Sequence, residues 1–581
     1  MSAKNPPSPI TRQRDIDALQ IAASWPGAAQ RTVVVLATRL VGSRRDFEGY
    51  RFFQQQADAN PGAALPLALA GFFQARLGED VASATAKLDK AAEIEPGLPN
   101  YLRGLAFAAL PADPERARQA AVDLEFVLAI RELFPAGLIR GVRLGLASVY
   151  AVLGRDDEAA LALDQSGLAA FGQDTHMLFS AFSASPDTGF RFGPPTVTEP
   201  APGIKVANGY DFSDLAFVFT ETGVVAIDAG ASVACARSAI AAVDLPAGQS
   251  ITHVILTHAH WDHIGGLDAL NSPGPSQSAP EVIAQTGFPA ELALQRGSST
   301  VSSRYFPITR RDLDYDVRPN RLIDAPTSLA IGGVDFALIP VSGGETADGL
   351  MIHLPASDVV FVGDVMMPYL GAPQFPEGSP QGLIETIGII RALKPRVLIH
   401  GHTPLTETFT AEALPGLEAA LRELLANVTA DIHRGRELGE MLDSNHLPEV
   451  LRDHPDAVLP YVVIRDGFIS RLYHQLTGYW KPSGEGVEVF SLNERAAALD
   501  LLAGGRSDAF VQAGTSLLER GDYALGLDVV DAGVRSHPES TALVALRQTL
   551  LHRLMEGNQQ LNPFKFLTYA DQADACIPPV A

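Results

Sequence analysis

One ten-residue run constrains this chain more than any other part of its sequence. Residues 257–266 read Thr-His-Ala-His-Trp-Asp-His-Ile-Gly-Gly and directly follow the apolar run Val254–Leu256, which predicts a buried strand. The run supplies four candidate metal ligands: His258, His260, Asp262 and His263. Imidazole and carboxylate are ligands that zinc accepts, and the spacing predicts that the first two face one metal ion and the last two a second. The alternative is a surface group of histidines that binds no metal ion.

Three regions of the chain differ in their pattern of residue types. This is expected for 581 residues, which are too many for one hydrophobic core. Residues 1–190 carry Ala and Leu at helical spacing and predict a helical domain, either tetratricopeptide-like or a generic helical fold. Residues 195–412 predict an α/β domain, because β-rich runs alternate with helical stretches, and 413–581 are helical again. The proline-rich stretch 185–203 predicts a linker. The clearest predicted strands are Leu215–Phe219, Val224–Ile227, Val334–Ile339, Val359–Val362 and Val397–Ile399.

The charge of the chain argues against nucleic acid as a partner. Its formal net charge is −23, from 44 Lys and Arg against 67 Asp and Glu, and a phosphate backbone is bound mainly through clustered Lys and Arg. Two cysteines exclude a disulfide framework. The N-terminus does not have the pattern of a secretory signal, and no apolar run is long enough to span a membrane. We therefore expect a cytoplasmic protein, with the periplasm as the alternative.

The 257–266 run resembles the signature of the metallo-β-lactamase superfamily, and further elements of that pattern follow in the expected order. The resemblance implies that 195–412 form an αββα sandwich, flanked by N-terminal and C-terminal all-α domains. It also implies two bound Zn²⁺ ions, with other divalent transition metals as the alternative.

The same resemblance assigns roles to three residues outside the run. Asp228, at the end of a predicted strand, is similar to the first-motif Asp that orients the metal-site loop without binding metal itself. Asp364 matches the carboxylate that bridges both metals. His402 matches the last histidine ligand, with His400 as the alternative.

One position departs from the commonest pattern of the superfamily. Where most members have a third-motif His, this chain reads Val-Ser-Gly-Gly-Glu-Thr-Ala-Asp-Gly over 341–349. The alkylsulfatase branch carries a Glu in a similar context, so the resemblance implies that Glu345 completes the shell of the first metal. The alternatives are a solvated loop Glu and ligation by Asp348.

The resemblance to alkylsulfatases extends to other segments. Residues 284–305 resemble the stretch after the metal loop of alkylsulfatases, and about 420–565 resemble their helical dimerisation domain, which implies a homodimer through 413–581. The segment 365–373 departs from that branch, because it has neither the His nor the Arg that usually grip sulfate there. The scaffold therefore transfers to this chain better than the sulfate specificity does.

The implied activity is hydrolysis of an alkyl sulfate ester by a hydroxide that bridges two zinc ions. Asp262 and Asp364 would carry the chemistry, and Arg304 is the candidate cation for the developing negative charge, with an ordinary surface arginine as the alternative. The apolar run Met366–Leu370 is a candidate lining for a substrate with an apolar chain, or else core. Another ester, a lactone or a phosphoester is the alternative substrate. A helical-repeat interaction protein with a vestigial metal domain is the alternative class.

Overall fold

The computed structural model describes residues 12–78, 80–110, 113–169, 182–271, 279–297, 305, 316–367, 378–478, 487–559 and 561–577. These residues form two compact units. One comprises the described residues of Met1–Ser24, Gln30–Ser185 and Tyr479–Ala581, and the other those of Trp25–Ala29 and Pro186–Gly478.

The α-helices in the described ranges are α1 (Arg14–Ala23), α2 (Gln30–Gly42), α3 (Asp46–Ala59), α4 (Ala64–Leu77), α5 (Val81–Ile94), α6 (Leu98–Ala109), α7 (Pro114–Ala129), α8 (Ala136–Val152), α9 (Asp156–Ser166), α10 (Val233–Val243), α11 (Trp261–Ile264), α12 (Leu267–Leu270), α13 (Phe288–Gly297), α14 (Pro380–Leu393), α15 (Thr403–Thr408), α16 (Leu414–His433), α17 (Leu438–Asp443), α18 (Val458–Leu476), α19 (Leu492–Leu502), α20 (Ser507–Arg520), α21 (Tyr523–Ser536), α22 (Thr541–Asn558) and α23 (Pro563–Gln572).

The strands are β1 (Ser183–Ser185), β2 (Gly189–Arg191), β3 (Thr196–Ala201), β4 (Ile204–Asn208), β5 (Leu215–Thr220), β6 (Gly223–Ile227), β7 (Ile251–Ile255), β8 (Glu281–Gln285), β9 (Arg321–Ile323), β10 (Thr327–Ile331), β11 (Val334–Gly343), β12 (Thr346–Leu354), β13 (Val359–Phe361) and β14 (Val397–Ile399).

Helices from both ends of the chain build the first unit. Gly42 of α2 lies so close to α22 that a Cβ on it would be 2.8 Å from the Cα of Gly557, and the Tyr523 hydroxyl donates to the Ser43 carbonyl at 3.2 Å. This grouping differs from the three consecutive domains predicted at 1–190, 195–412 and 413–581, because α19–α23 pack with the N-terminal helices and α16–α18 belong to the other unit. The three-domain division stays a prediction.

Two sheets form the centre of the second unit. Among the described residues, one sheet has the order β3-β4-β5-β6-β7-β8-β9 and the other β10-β11-β12-β13-β14. Strand β6 shows why they stack: Val225 and Ile227 face the core between the sheets, whereas Val224 and Ala226 face the core under α10, α12 and α13. Helix α14 packs on β11 of the second sheet. The predicted αββα sandwich, with helical regions before and after it in the chain, is confirmed.

The predicted linker at 185–203 is wrong over part of its length. Thr196–Ala201 is the edge strand β3, which pairs antiparallel with β4. The prolines that suggested a linker are compatible with this strand, since Pro200 lies where the register shifts between Thr198 and Ala201. Proline has no N–H to donate and is tolerated at edges and bulges of sheets.

The topology brings the predicted site residues to one edge of the sandwich. Strands β6 and β7 are parallel, as are β13 and β14, so the loops after them emerge on the same side of each sheet. Those loops carry Asp228, the 257–266 run, Asp364 and His402, and the turn between β11 and β12 carries Glu345. In the ranges that the structure describes, no helix is long and apolar enough to cross a membrane.

Candidate metal centre

Three side chains meet where the loop after β7 approaches the β11–β12 turn. His258 Nε2 lies 3.4 Å from Glu345 Oε2, and His260 Nδ1 lies 3.3 Å from the same oxygen. Their ligand-capable atoms all lie within 4.8 Å of one another. We call these residues the three-residue cluster. His258 and Glu345 are buried and His260 is largely so, so an ion held here would lose most of its water.

Four more side chains form a second group beside the first. It consists of Asp262, His263, Asp364 and His402, all buried, and we call it the four-residue cluster. Oδ2 of Asp364 lies 2.8 Å from His402 Nε2 and 3.3 Å from His263 Nε2. Oδ2 of Asp262 lies 3.3 Å from each of the same two nitrogens. Asp364 also lines one small cavity together with His258 and Glu345, which puts it beside both clusters.

Hydrogen bonds behind the clusters fix which histidine nitrogen faces inward. His263 Nδ1 donates to Asp228 Oδ2 at 2.9 Å, and His402 Nδ1 donates to the Phe212 carbonyl at 2.9 Å. The Thr257 hydroxyl donates to Asp228 at 2.8 Å, so it is free to accept from His258 Nδ1 at 3.0 Å. In all three rings the Nε2 lone pair is therefore left for a metal, as outer partners of metal-binding histidines commonly arrange.

The inward-facing atoms fit a metal ion because several of them have no hydrogen-bond partner. These buried atoms are His258 Nε2, His263 Nε2, Glu345 Oε2 and Asp364 Oδ1. A buried polar atom without a partner is costly, and a native protein rarely has several together without a ligand. Imidazole with carboxylate is a donor set that suits zinc and neighbouring divalent metals.

The charges of the site keep its carboxylates ionised. Burial by itself would raise the pKa of Asp364, but His402 and His263 hold this pKa well below its usual range. Burial likewise opposes ionisation of Glu345, yet His260 leaves the Glu345 pKa lowered. Asp364 and Glu345 are thus both ionised, which is the charge state that binds a divalent cation.

Two residues that were alternatives on sequence belong to neither cluster. Nε2 of His400 is 3.0 Å from the Phe409 carbonyl, and burial lowers the His400 pKa to about 4. Asp348 is buried, with both carboxylate oxygens lacking a hydrogen-bond partner, and burial raises its pKa. Neither residue is in the two groups of ligand-capable atoms found among the described residues, which favours His402 and Glu345 as the ligands.

Two predictions fall on parts of the chain that the structure does not describe. Arg304, the candidate cation, lies outside the described residues. Of the candidate substrate lining, Met366 and Met367 are buried, and 368–370 lie outside the described residues. The roles of Arg304 and of this lining stay predictions.

The structure adds supporting residues that sequence reasoning missed. Thr257 stands inside the signature run, yet its link between Asp228 and His258 shows only in three dimensions. The turn Asp211–Asp214 also borders the site. The sequence marks this turn only by two acidic residues just before an apolar strand.

Gly401 is a backbone position beside the clusters with no room for an added methyl group. A Cβ there would collide with Asp364 Oδ1 and His263 Cε1, both in the four-residue cluster. Gly401→Ala should therefore lower zinc affinity by roughly 10–100-fold, the scale of other changes that misplace ligands. Competition with a chromophoric chelator measures this loss.

Gly388→Ala is the matched control for this substitution. Gly388 lies inside α14, and a Cβ on it would make only an ordinary contact, 3.5 Å from Glu418 Oε1. Alanine in a helix interior should stabilise the fold by about 1 kcal/mol and leave zinc affinity unchanged. Equal zinc affinity in the two variants would contradict the close fit at Gly401.

Fold and site together define a class of protein. Residues 209–402 match the family model described as metallo-beta-lactamase superfamily. The chain therefore contains a metallo-β-lactamase domain, and hydrolases with a metal-binding site are the class to which this domain points.

Individual relatives refine that class. Over 193 residues the chain is 28% identical to a hydroxyacylglutathione hydrolase of Ruegeria pomeroyi, a match that covers 32% of this chain and 63% of the relative. It is 20% identical over 370 residues to a linear primary-alkylsulfatase of Pseudomonas sp., which covers 58% of this chain and 70% of the relative. The chain thus spans less than two thirds of the first of these proteins.

A solved structure supports the same fold over a longer stretch. The inverting sec-alkylsulfatase Pisa1 from Pseudomonas sp. superposes with a TM-score of 0.52 at 19% identity, covering 66% of each chain. At this identity the likeness is one of fold alone. The resemblance to alkylsulfatases extends beyond the segment that matches the family model, because both alignments are longer than 209–402.

Proposed function

We propose that this protein is a hydrolase that uses two divalent metal ions, with zinc as the favoured metal, and that it cleaves alkyl sulfate esters. One observation carries the hydrolase proposal: two adjacent clusters of metal-ligating side chains in which His258 Nε2, His263 Nε2, Glu345 Oε2 and Asp364 Oδ1 are buried without a hydrogen-bond partner. The resemblance to alkylsulfatases over more of the chain than the metal domain supports the substrate.

Each residue of the centre has a part in this proposal. His258, His260 and Glu345 would hold one ion, and Asp262, His263 and His402 the other. Asp364 would contact both, consistent with its position in one cavity with His258 and Glu345. When bound, the two ions would lower the pKa of water and polarise the scissile bond.

The supporting residues would keep the ligands in the required state. Asp228 accepts from His263 and Thr257, which holds the imidazole in the tautomer whose Nε2 can bind metal. Burial of the whole centre would exclude bulk water and strengthen every charge interaction inside it.

Hydrolysis of a hydroxyacylglutathione is the second candidate activity. The hydroxyacylglutathione hydrolases matched by the metal domain are 24–30% identical to it, closer than the 20% of the alkylsulfatase. The segment 365–373 without His or Arg also weakens the case for sulfate. Another ester, a lactone or a phosphoester would use the same centre. A non-catalytic interaction protein is disfavoured, since a vestigial site would have lost ligands.

The remaining proposals concern the whole chain. We propose a homodimer through the C-terminal helices, a substrate with an apolar chain, and a cytoplasmic location with the periplasm as the alternative. The homodimer follows from the resemblance of 420–565 to the alkylsulfatase dimerisation domain. Light scattering on the purified chain should give twice the mass of 61.7 kDa, and a single-chain mass would overturn this proposal.

Turnover of a substrate panel tests the activity. Zinc-loaded protein is offered dodecyl sulfate below its micellar concentration, nitrophenyl esters, lactones, phosphodiesters and a hydroxyacylglutathione. We expect sulfate release from dodecyl sulfate, followed by ion chromatography, and no release by a His263→Ala variant. Turnover of hydroxyacylglutathione without any sulfate release would replace the proposed substrate and leave the metal-dependent hydrolase in place.

A further inference from the structure

The turn Asp211–Asp214 joins β4 to β5 and contributes no residue to either cluster. All four of its residues are buried, including both carboxylates. A turn between strands is usually exposed, and a buried carboxylate needs partners. We call Asp211–Asp214 the anchor turn, because its partners lie in the loops that carry metal ligands.

One end of the anchor turn holds the loop after β14. The Phe212 carbonyl accepts the Nδ1–H of His402 at 2.9 Å, and the Asp214 N–H donates to the Gly401 carbonyl at 2.8 Å. The Thr403 hydroxyl donates to Asp214 Oδ2 at 2.8 Å. Three consecutive residues of that loop are therefore bonded to the turn, and the middle residue of the three is His402.

The middle and the start of the turn hold two further loops. The Ser213 hydroxyl donates to the backbone carbonyl of Asp262. Oδ2 of Asp211 accepts from the N–H groups of Ala231 and Ser232 at 2.9 and 3.2 Å. These two bonds from Asp211 fix the loop after β6.

That loop is in turn bonded to another ligand of the four-residue cluster. Asp228 accepts from His263 Nδ1 at 2.9 Å, and the Ala229 N–H donates to the His263 carbonyl at 2.8 Å. The anchor turn thus reaches His402 and Asp262 directly and His263 through one intervening loop.

A different part of the sandwich positions the ligand that Glu345 supplies to the three-residue cluster. Glu345 stands in the β11–β12 turn beside Gly343, whose φ of +108° suits glycine. A Cβ on Gly343 would lie 2.4 Å from the Cα of Gly382 in α14, so this turn is set by its packing on α14. Glu345 therefore has a support that is separate from the anchor turn.

We propose that the anchor turn positions the four-residue cluster and sets its metal affinity separately from that of the three-residue cluster. The inference rests on the proposed function in one respect, that both clusters bind metal. Partners behind metal ligands typically control metal affinity by 10–100-fold, because they fix ligand orientation. Loosening the turn should therefore weaken one of two sites by that factor.

Ser213→Ala and Asp214→Ala test the proposal, with zinc affinity measured by chelator competition on the full chain. In each variant we expect one site to weaken by roughly 10–100-fold and the other to stay within about twofold. Asp214→Asn should recover most of the affinity, because its amide oxygen still accepts from Thr403. Thr220→Val is the matched control: it removes a buried hydroxyl that donates to the Gly223 carbonyl at 2.7 Å, at the other end of β5.

Double variants assign the weakened site. In a chain whose three-residue cluster is disabled by Glu345→Gln, adding Ser213→Ala should weaken binding of the zinc ion that remains in the four-residue cluster. In a chain whose four-residue cluster is disabled by Asp262→Ala, adding Ser213→Ala should change the affinity for the remaining zinc ion by less than about twofold. The Ser213 bond goes to the backbone carbonyl of residue 262, and the remaining ion is held by the three-residue cluster. Circular dichroism confirms that each variant is folded.

The outcomes separate this inference from the proposed function. If the parent chain binds two zinc ions and the Ser213→Ala and Asp214→Ala variants bind both as tightly, the inference is wrong. Equal weakening of both sites would also overturn it, since that indicates general loss of structure. If the parent chain binds less than one zinc ion, the proposed function itself fails.

Discussion

Asp262→Ala should remove one of two zinc ions and lower hydrolytic activity by more than about 100-fold. Oδ2 of Asp262 faces both His263 and His402 at 3.3 Å, so its loss takes a charged ligand from the buried four-residue cluster. Changes behind a ligand cost up to about 100-fold, and removal of a ligand should cost more. Elemental analysis gives the metal content and the best substrate of the panel gives the activity.

An exposed acid of the same unit provides the comparison for Asp262. Asp324 stands at the surface after β9, and Asp324→Ala should keep both metal ions and full activity. If Asp262→Ala retained both zinc ions and its activity, the four-residue cluster would not be the working site.

Glu345→Gln should remove the other zinc ion and abolish most activity, whereas Glu345→His should retain both ions. Oε2 of Glu345 is buried, has no hydrogen-bond partner, and lies 3.4 and 3.3 Å from nitrogens of His258 and His260. An amide is a poor zinc ligand, and histidine is the residue that most metallo-β-lactamase relatives carry at this motif. Zinc content and activity of the two variants give the answer.

Asp348→Asn controls for the neighbouring acid. Asp348 is equally buried, in the strand that follows Glu345, but it lies outside both groups of ligand-capable atoms found in the described part of the chain. This variant should keep both zinc ions. Loss of zinc from Asp348→Asn but not from Glu345→Gln would move the ligand role to Asp348.

Local sequence patterns predicted an α/β domain and the ligands of the 257–266 run, whereas the αββα layers and the roles of Asp228, Asp364 and His402 came from the resemblance to the metallo-β-lactamase superfamily. Strands β6 and β14 appear as short apolar runs because both of their faces are buried. The loops after parallel strands emerge on one side of each sheet, which explains in the structure why residues as far apart as His258 and His402 lie near each other. Glu345 needed the family pattern, since a lone Glu in a Gly-rich turn has no signal of its own.

The parts that the sequence did not predict depend on contacts between distant segments. Ser213 and Asp262 are 49 positions apart, and Phe212 and His402 are 190 apart, so no local pattern marks these bonds. Strand β3 was not predicted because Pro200 suggested a linker. The strand tolerates this proline because it lies at a bulge on a sheet edge. The pairing of α2 with α22 is likewise a long-range contact, which spacing within either helix does not predict.

The number of zinc ions per chain tests the central proposal most directly. The full chain is stripped with chelator, reconstituted with excess zinc, freed of loose metal by gel filtration and analysed by plasma mass spectrometry. Two clusters, with four buried atoms that have no hydrogen-bond partner, predict two zinc ions per chain, and one for Asp262→Ala or Glu345→Gln. A parent chain that binds clearly less than one zinc ion would contradict the account.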